Sequence, residues 1–437
     1  MTGPFYSYIL LRVPHCAPPA SGVAMKSENH PPLRILTAGL MISGNTIGAG
    51  ILGLPILSGM AGSLPAVSGL VVIWFLMLAS GYILARAMTG HGKNIEGLPS
   101  LYQTELGPVG KGVATVGYLI NYFGILVAYL CGATVTITHL IHTQIPDLVV
   151  TLIFFTVFTA ITIFGVEAVR KSNAFLMLLL FAAFLFLLFS AAKNINMEWL
   201  TYTDWRYFPA TFPIFIVSFT YHNTIPIVVR TLDYDRRAVD KALILGTTIP
   251  LLVSLLWILA VIGCLPLTGS GQSEETIYYA FKNNLPATVP LAQILHSELF
   301  TVFGLIFTVL AISTSYLAVG IGLLNFMKDL TSPIFKGRNL LTDALFAFAL
   351  PLLITIFYPD LFLTALNVAG GVGVGIVFGI LPGIILFKRG RSNKITLFLG
   401  TGIILFFVLV MGLELLQEMD LLKIKPHIES WTSTFNH

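Results

Sequence analysis

Residues 43–55 read SGNTIGAGILGLP and fall inside the first long apolar segment of the chain. Gly44, Gly48, Gly50, Gly53 and Pro55 sit where a continuous membrane helix is expected. Glycine is a poor helix former, and an interior proline removes a backbone hydrogen bond. In hydrocarbon each unpaired backbone group costs several kcal/mol, so a break at that depth needs protein, ions or a ligand to fill it. The stretch therefore predicts an unwound span that cradles a small polar ligand at mid-membrane. The plainer reading is a glycine face for close helix packing. Asn45, Thr46 and Pro55 in the same few residues favour a site.

Composition puts this break in a polytopic membrane protein. The 437 residues are 56% hydrophobic and 10% charged, with mean hydropathy +0.87. Apolar runs long enough to span a bilayer recur throughout. The formal charge of +4 sits in short loops and does not point to nucleic acid. Cys16, Cys131 and Cys264 form neither a metal spacing nor a disulfide framework. Residues 1–32 read as a disordered cytoplasmic tail, with Met25 as a second candidate start.

Hydropathy predicts eleven spans, at about 34–59, 65–89, 112–140, 148–168, 173–192, 209–229, 242–265, 297–327, 341–358, 361–387 and 395–417. Short surface helices are expected at 97–107 and 273–284. With the N-terminus in the cytoplasm, only Lys193, Arg206, Lys282, Lys423 and Lys425 of the 24 basic residues fall outside. A missed or extra span would invert every later loop. An odd span count places the C-terminus, and the tail 422–437, on the extracytoplasmic side. Ten spans divide into two five-span units of opposite orientation, 33–193 and 207–388, followed by the extra span 395–417 in a single transmembrane domain, 33–421. That is the requirement for inverted repeats, whose paired breaks hold substrate near the midplane.

Span 6 should hold the partner break. Its centre, VSFTYHNTIP at 217–226, gathers Ser218, Thr220, Tyr221, His222, Asn223 and Pro226. Polar residues at that depth are costly unless they face a cavity or a neighbouring helix. Span 3 sets Tyr118, Asn121, Tyr122 and Tyr129 largely on one face. Span 8 carries Ser313, Thr314 and Ser315, which can bond back to their own helix or ligate a small hard cation. Span 10, NVAGGVGVGIVFGILPG at 367–383, reads as a thin, closely packed or mobile helix lining the path.

GNTIGAGILGLP in span 1, SFTYHNTIP followed by DYDRRAVDKALILG after span 6, and TSYLAVGIGLLNF with KDL in span 8 together resemble the hydroxy/aromatic amino acid permeases. The tyrosine and tryptophan permease branch is the most similar, over about 33–416. The resemblance implies the amino acid–polyamine–organocation superfamily and its leucine-transporter fold: all-α, eleven spans, a 5+5 inverted repeat with spans 1 and 6 broken. It implies proton-driven import of tyrosine or tryptophan across the bacterial inner membrane by alternating access. Substrate carboxylate would meet backbone N–H groups at Gly48, Ala49 and Gly50, where a helix N-terminus favours anions. Carbonyls near 43–46, with Asn45 and Thr46, would take the ammonium. Phe219, Thr220 and Tyr221 would close the site, with Asn223 and His222 at its edge and Tyr122 and Tyr129 shaping the pocket.

Gly44, Ile47, Ala311, Thr314 and Ser315 resemble the sodium site of the sodium-coupled branch. Some proton-coupled relatives of the fold place a span-5 lysine there. Here the nearest lysine, Lys171, lies at the span's cytoplasmic end, which leaves His222 and Glu167 as proton-carrier candidates. No cofactor and no obligatory protein partner are expected beyond the bilayer, the substrate and a co-transported H+ or Na+. A serine/threonine permease is the alternative within the family, and an amino acid sensor is the alternative on the fold. An integral membrane enzyme would need acids such as Asp233, Asp235 and Asp240, but these sit among Arg230, Arg236 and Arg237 in a charge-balanced turn.

Overall fold

The computed structural model describes residues 31–141, 144–269, 275–331, 340–390 and 393–424, with backbone alone at 166–174 and 331. The expected tails, including Cys16, Met25 and Lys425, lie outside the described residues. Ten helices are long and apolar enough to cross a membrane. The pair Pro32–Thr46 and Gly50–Gly59, bent by 62°, passes the same test when taken together; counted as one broken span, it brings the number to eleven and is labelled span 1. The others are span 2 (Ser63–His91), span 3 (Leu98–Ile141), span 4 (Asp147–Phe164), span 5 (Val166–Ala192) and span 6 (Phe208–Thr231). Span 7 (Arg236–Cys264), span 8 (Glu298–Thr331), span 9 (Leu340–Phe357), span 10 (Phe362–Arg389) and span 11 (Lys394–Glu418) complete the chain. The only β pairing among the described residues is one isolated bridge between Gly62 and Thr203.

Several boundaries differ from those expected. Span 4 stops at Phe164 and Gly165 instead of reaching 168, so Glu167 falls in the first turn of span 5. The expected surface helix at 97–107 runs directly into span 3. A non-helical Gly107, with φ of +76°, turns the chain between them. The second surface helix is Ile277–Lys282, and a further short helix, Thr288–Leu295, follows it. Span 10 departs most. Residues Ala369–Ile380 are π-helical, a form stable only in special packing. Gly370, Gly373 and Gly379 explain the packing: a Cβ at each would run into Pro213, Asn121 and Phe407 respectively.

The prolines also act differently from expectation. Span 1 breaks at 47–49, and Pro55 lies within its second half-helix. The carbonyl that Pro55 leaves without a donor belongs to Ile51, and Trp257 Nε1 of span 7 donates to it at 3.0 Å. Pro213 and Pro226 occupy the first turns of the two halves of span 6, Phe212–Ser218 and Ile225–Thr231, where a missing N–H costs nothing.

Loop contacts sort the helix ends onto two faces. On one, Arg34 pairs with Asp233, Arg86 with Asp240, and Arg389 with Glu105, which also meets His91 at 2.7 Å. We call this the basic face. On the other, Asp204 N–H donates to Ala61 at 2.7 Å, Asn196 N–H to Gly263 at 2.8 Å, and Ala287 N–H to Leu52 at 2.9 Å. The start of span 1 and the loops after spans 2, 6 and 10, read from sequence as cytoplasmic, thus meet on the basic face.

Candidate functional site

The break in span 1 releases backbone groups. A continuous helix would aim the N–H groups of Gly48, Ala49 and Ile51 at the carbonyls of Gly44, Asn45 and Ile47. Instead Gly48 donates to Thr46 at 3.0 Å, Ile51 to Gly48 at 3.1 Å, and Ala49 to Ser315 Oγ at 3.3 Å. Three carbonyls are thereby taken out of the helical pattern. Carbonyls freed from a helix at mid-span need partners, so this is a place suited to a cation or an ammonium group.

Span 6 breaks opposite it. Phe219, at φ −105° and ψ 30°, ends the first half-helix, and His222–Thr224 form a single 3-10 turn before the second. Asn45 Nδ2 donates to the Thr220 carbonyl at 3.2 Å, so the two breaks face each other. Asn45 and Asn223 are both exposed beside the breaks, while Ala49, Phe219 and the chain running from them to the opposite face are buried.

Span 8 closes a third side. Ser315 accepts from the Ala49 N–H and is hydrogen-bonded to the Tyr129 phenol of span 3, which ties spans 1, 3 and 8 together. A Cβ on Gly48 would stand 2.9 Å from Ser315 Oγ, so this approach needs glycine. Thr314 Oγ1 bonds back to the Leu310 carbonyl at 2.7 Å, and Ala311 is buried one turn away. Tyr122 is half-buried, stacks on Tyr118 with centroids 5.9 Å apart, and lies beside Gly322. Thr46 Oγ1 bonds back to Ile42 at 2.7 Å, and Gly50 lies against Ser218.

Two of the expected site residues point elsewhere. The Tyr221 hydroxyl donates to the Met77 carbonyl of span 2 at 3.1 Å, over Gly81. His222 is fully buried, with Nε2 3.2 Å from the same carbonyl. Its ring stacks between Tyr221 and Phe378, 4.4 and 4.6 Å away by centroid. His222 thus sits behind the break, between spans 2 and 10. The side chain of Glu167 lies outside the described residues.

The sequence reading passed over Glu414 of span 11. It is 2% exposed, and its Oε1 has no hydrogen-bond partner. Its signal was periodicity. Thr396, Gly400, Ile403, Phe407, Val410 and Glu414 repeat every three or four residues and form the buried stripe of the span. No cluster of three or more His, Cys, Asp or Glu that could hold a metal occurs among the described residues.

Comparison with known proteins places the chain among transport proteins. Over 391 residues the chain is 28% identical to the tyrosine-specific transport system 1 of Haemophilus influenzae, covering 85% of this chain and 93% of that protein. It is 28% identical over 364 residues to the tryptophan-specific transport protein of the same organism, covering 77% and 83%. It is 24% identical over 368 residues to glutamine transporter 2 of Aliivibrio fischeri, covering 83% and 91%. These relatives are transporters and not enzymes. The model of the tryptophan/tyrosine permease family matches residues 33–417, and the chain is a membrane-embedded member of that family.

Proposed function

We propose that the protein is a secondary active transporter that imports an aromatic amino acid, tyrosine or tryptophan, by proton symport across the bacterial inner membrane. The observation that carries this reading is the pair of facing breaks, joined by Asn45 and Thr220, with Asn45 and Asn223 exposed beside them. An amino acid zwitterion suits such a place. Its ammonium meets the carbonyls released at Gly44, Asn45 and Ile47, and its carboxylate meets the Gly50 N–H at the start of Gly50–Gly59, where the helix dipole is positive. The N–H groups of Gly48 and Ala49, also expected to take the carboxylate, are engaged by Thr46 and Ser315. Tyr122, Tyr129, Phe219 and Thr220 shape the side-chain pocket. The relatives named for tyrosine and tryptophan support an aromatic substrate.

In this reading spans 1–5 and 6–10 are inverted repeats, and breaks five spans apart support that pairing. The basic face is cytoplasmic, as the lysine and arginine bias requires. The breaks are then reached from the inside, and rocking of spans 1 and 6 closes that side while opening the other. No resident cofactor is needed. Sodium is the second reading for the coupling ion, favoured by the approach of Ser315 to the released span-1 backbone.

The test is uptake of labelled tyrosine and tryptophan into proteoliposomes under separate pH and sodium gradients. We expect accumulation with the pH gradient alone, and its loss in Gly48→Ala, whose Cβ would enter the gap before Ser315. Accumulation only with sodium, abolished in Ser315→Ala, would transfer coupling to spans 1 and 8. No accumulation of either amino acid would overturn the substrate assignment, and glutamine, serine and threonine would be examined next.

A further inference from the structure

We propose that Glu414 is a proton-binding site that controls closure of the face opposite the basic one: that face seals only when the carboxyl is protonated. The position of Glu414 is the argument. It is the last member of the buried stripe of span 11, four residues before that helix ends at Glu418. A Cβ placed on Gly371 of the π-helical segment would lie 3.1 Å from Glu414 Cγ and 3.3 Å from Pro213 Cβ. Glu414 is therefore packed at a three-way junction of span 11, the glycine-rich part of span 10 and the start of span 6. The half-helix that begins there, Phe212–Ser218, is the one that ends at the break.

The surroundings offer a charge no support. Oε1 is buried without a hydrogen bond. The π segment, AGGVGVGIVFGI, contributes no titratable side chain, nor do Phe362–Val368, Phe208–Thr211 or Phe212–Ser218. On the last stretch of span 10, Leu381–Arg389, the charged groups Lys388 and Arg389 are engaged with Glu105 on the basic face. The titratable groups that face Glu414 electrostatically are Glu418, on its own helix, and Tyr207, just before span 6, which Asp204 also faces. Acidic neighbours and an unpartnered oxygen make a carboxylate untenable in this packed state. An un-ionised carboxyl fits. Losing its proton demands water, which separation of span 11 from Gly371 of span 10 at this end would admit.

The consequence is linkage. The sealed state holds one proton more than the opened state, so acid on this face favours sealing and alkali favours opening. In the alternating-access reading, on which this inference rests, the face is extracytoplasmic. The proton then licenses the return from the outward-open to the inward-open arrangement.

Two measurements test this. The first needs no substrate: thermal unfolding of the purified protein from mildly acidic to mildly alkaline pH, wild type against Glu414→Gln and Glu414→Met. We expect the wild-type midpoint to fall as pH rises, and both neutral variants to lack that component while matching or exceeding wild type at alkaline pH. The second is tyrosine or tryptophan counterflow, without an ion gradient, as external pH is varied at fixed internal pH. Wild-type exchange should slow with rising external pH, by at most about tenfold per pH unit for one linked proton, and Glu414→Gln should flatten that dependence. Variants with the wild-type pH profile in both measurements overturn the proposal. So does failure of both neutral variants to fold, which would mean that the charge is required. Absence of wild-type counterflow would count against the substrate reading, and the unfolding series would then decide the role of Glu414 alone.

Discussion

The two halves of the broken pair are built on different principles. Toward the opposite face, Ile51 to Gly59 of span 1 and Phe212 to Ser218 of span 6 are buried at every residue. Gly53, against Leu363, and Gly370, against Pro213, let that packing close to backbone distance. Toward the basic face, Pro32–Thr46 buries only a stripe at Ala38, Gly39, Ile42, Ser43 and Thr46, and Asn45 and Asn223 stay exposed. There the holding contacts are ion pairs between loops and helix ends. A seal of apolar contacts must come apart as a unit, because interiors packed this closely do not deform gradually. Ion pairs at a wet face can be exchanged one at a time at small cost. In the alternating-access reading proposed above, this contrast corresponds to a state sealed on the face opposite the basic one.

The contrast can be broken most directly by thiol labelling. In a Cys16→Ser background, where Cys131 and Cys264 are buried, Asn45→Cys should react with an impermeant reagent from the basic face. Ile56→Cys, fully buried in the other half, should not. Equal labelling would show that neither half is sealed. Gly370→Ala comes next, because its Cβ would meet the backbone carbonyl of Pro213, which cannot move aside. Overpacking there should lower stability by about 2–3 kcal/mol, read from the unfolding midpoint.

On the basic face Arg86→Ala should cost less. Its Nη2 lies 2.6 Å from Asp240 Oδ2, with both side chains under one-fifth exposed. A loss of about 1–2 kcal/mol is expected by the same measurement, as for other charge-assisted bonds in partial burial. Arg34→Ala should be nearly silent, at most about 0.5 kcal/mol, because its pair with Asp233 is 43% and 59% exposed. If Arg34→Ala proved worse than Gly370→Ala, the assignment of the firm seal to the apolar half would be reversed.

The break in span 1 was legible because glycine and asparagine at mid-span are locally expensive, and local expense is visible in sequence. In span 6 the polar cluster 218–223 announced an interruption, although no glycine marks it. What sequence hid was direction. Tyr221 and His222 read as site residues by proximity along the chain, yet their rings turn toward Met77 and Phe378. A single residue's azimuth in an unwound stretch follows no period. The π segment was hidden because glycine density alone does not distinguish close packing from an altered helical register. Glu414 was overlooked because an acid near the end of a span resembles an interfacial residue unless its register with Phe407 and Val410 is counted.

The bond from Trp257 to Ile51 has a consequence for biosynthesis. Donor and acceptor are 206 residues apart. At the usual pace of roughly 5–20 residues per second, the ribosome needs about 10–40 s to reach Trp257 after making Ile51. For that interval the nascent second half of span 1 carries a carbonyl that its own helix cannot satisfy. Asn45 waits nearly as long for Thr220, 175 residues downstream. Early spans of this protein must therefore be held by water, headgroups or an insertion chaperone until span 7 emerges, and a transcript cut short before Trp257 should yield a product marked for degradation.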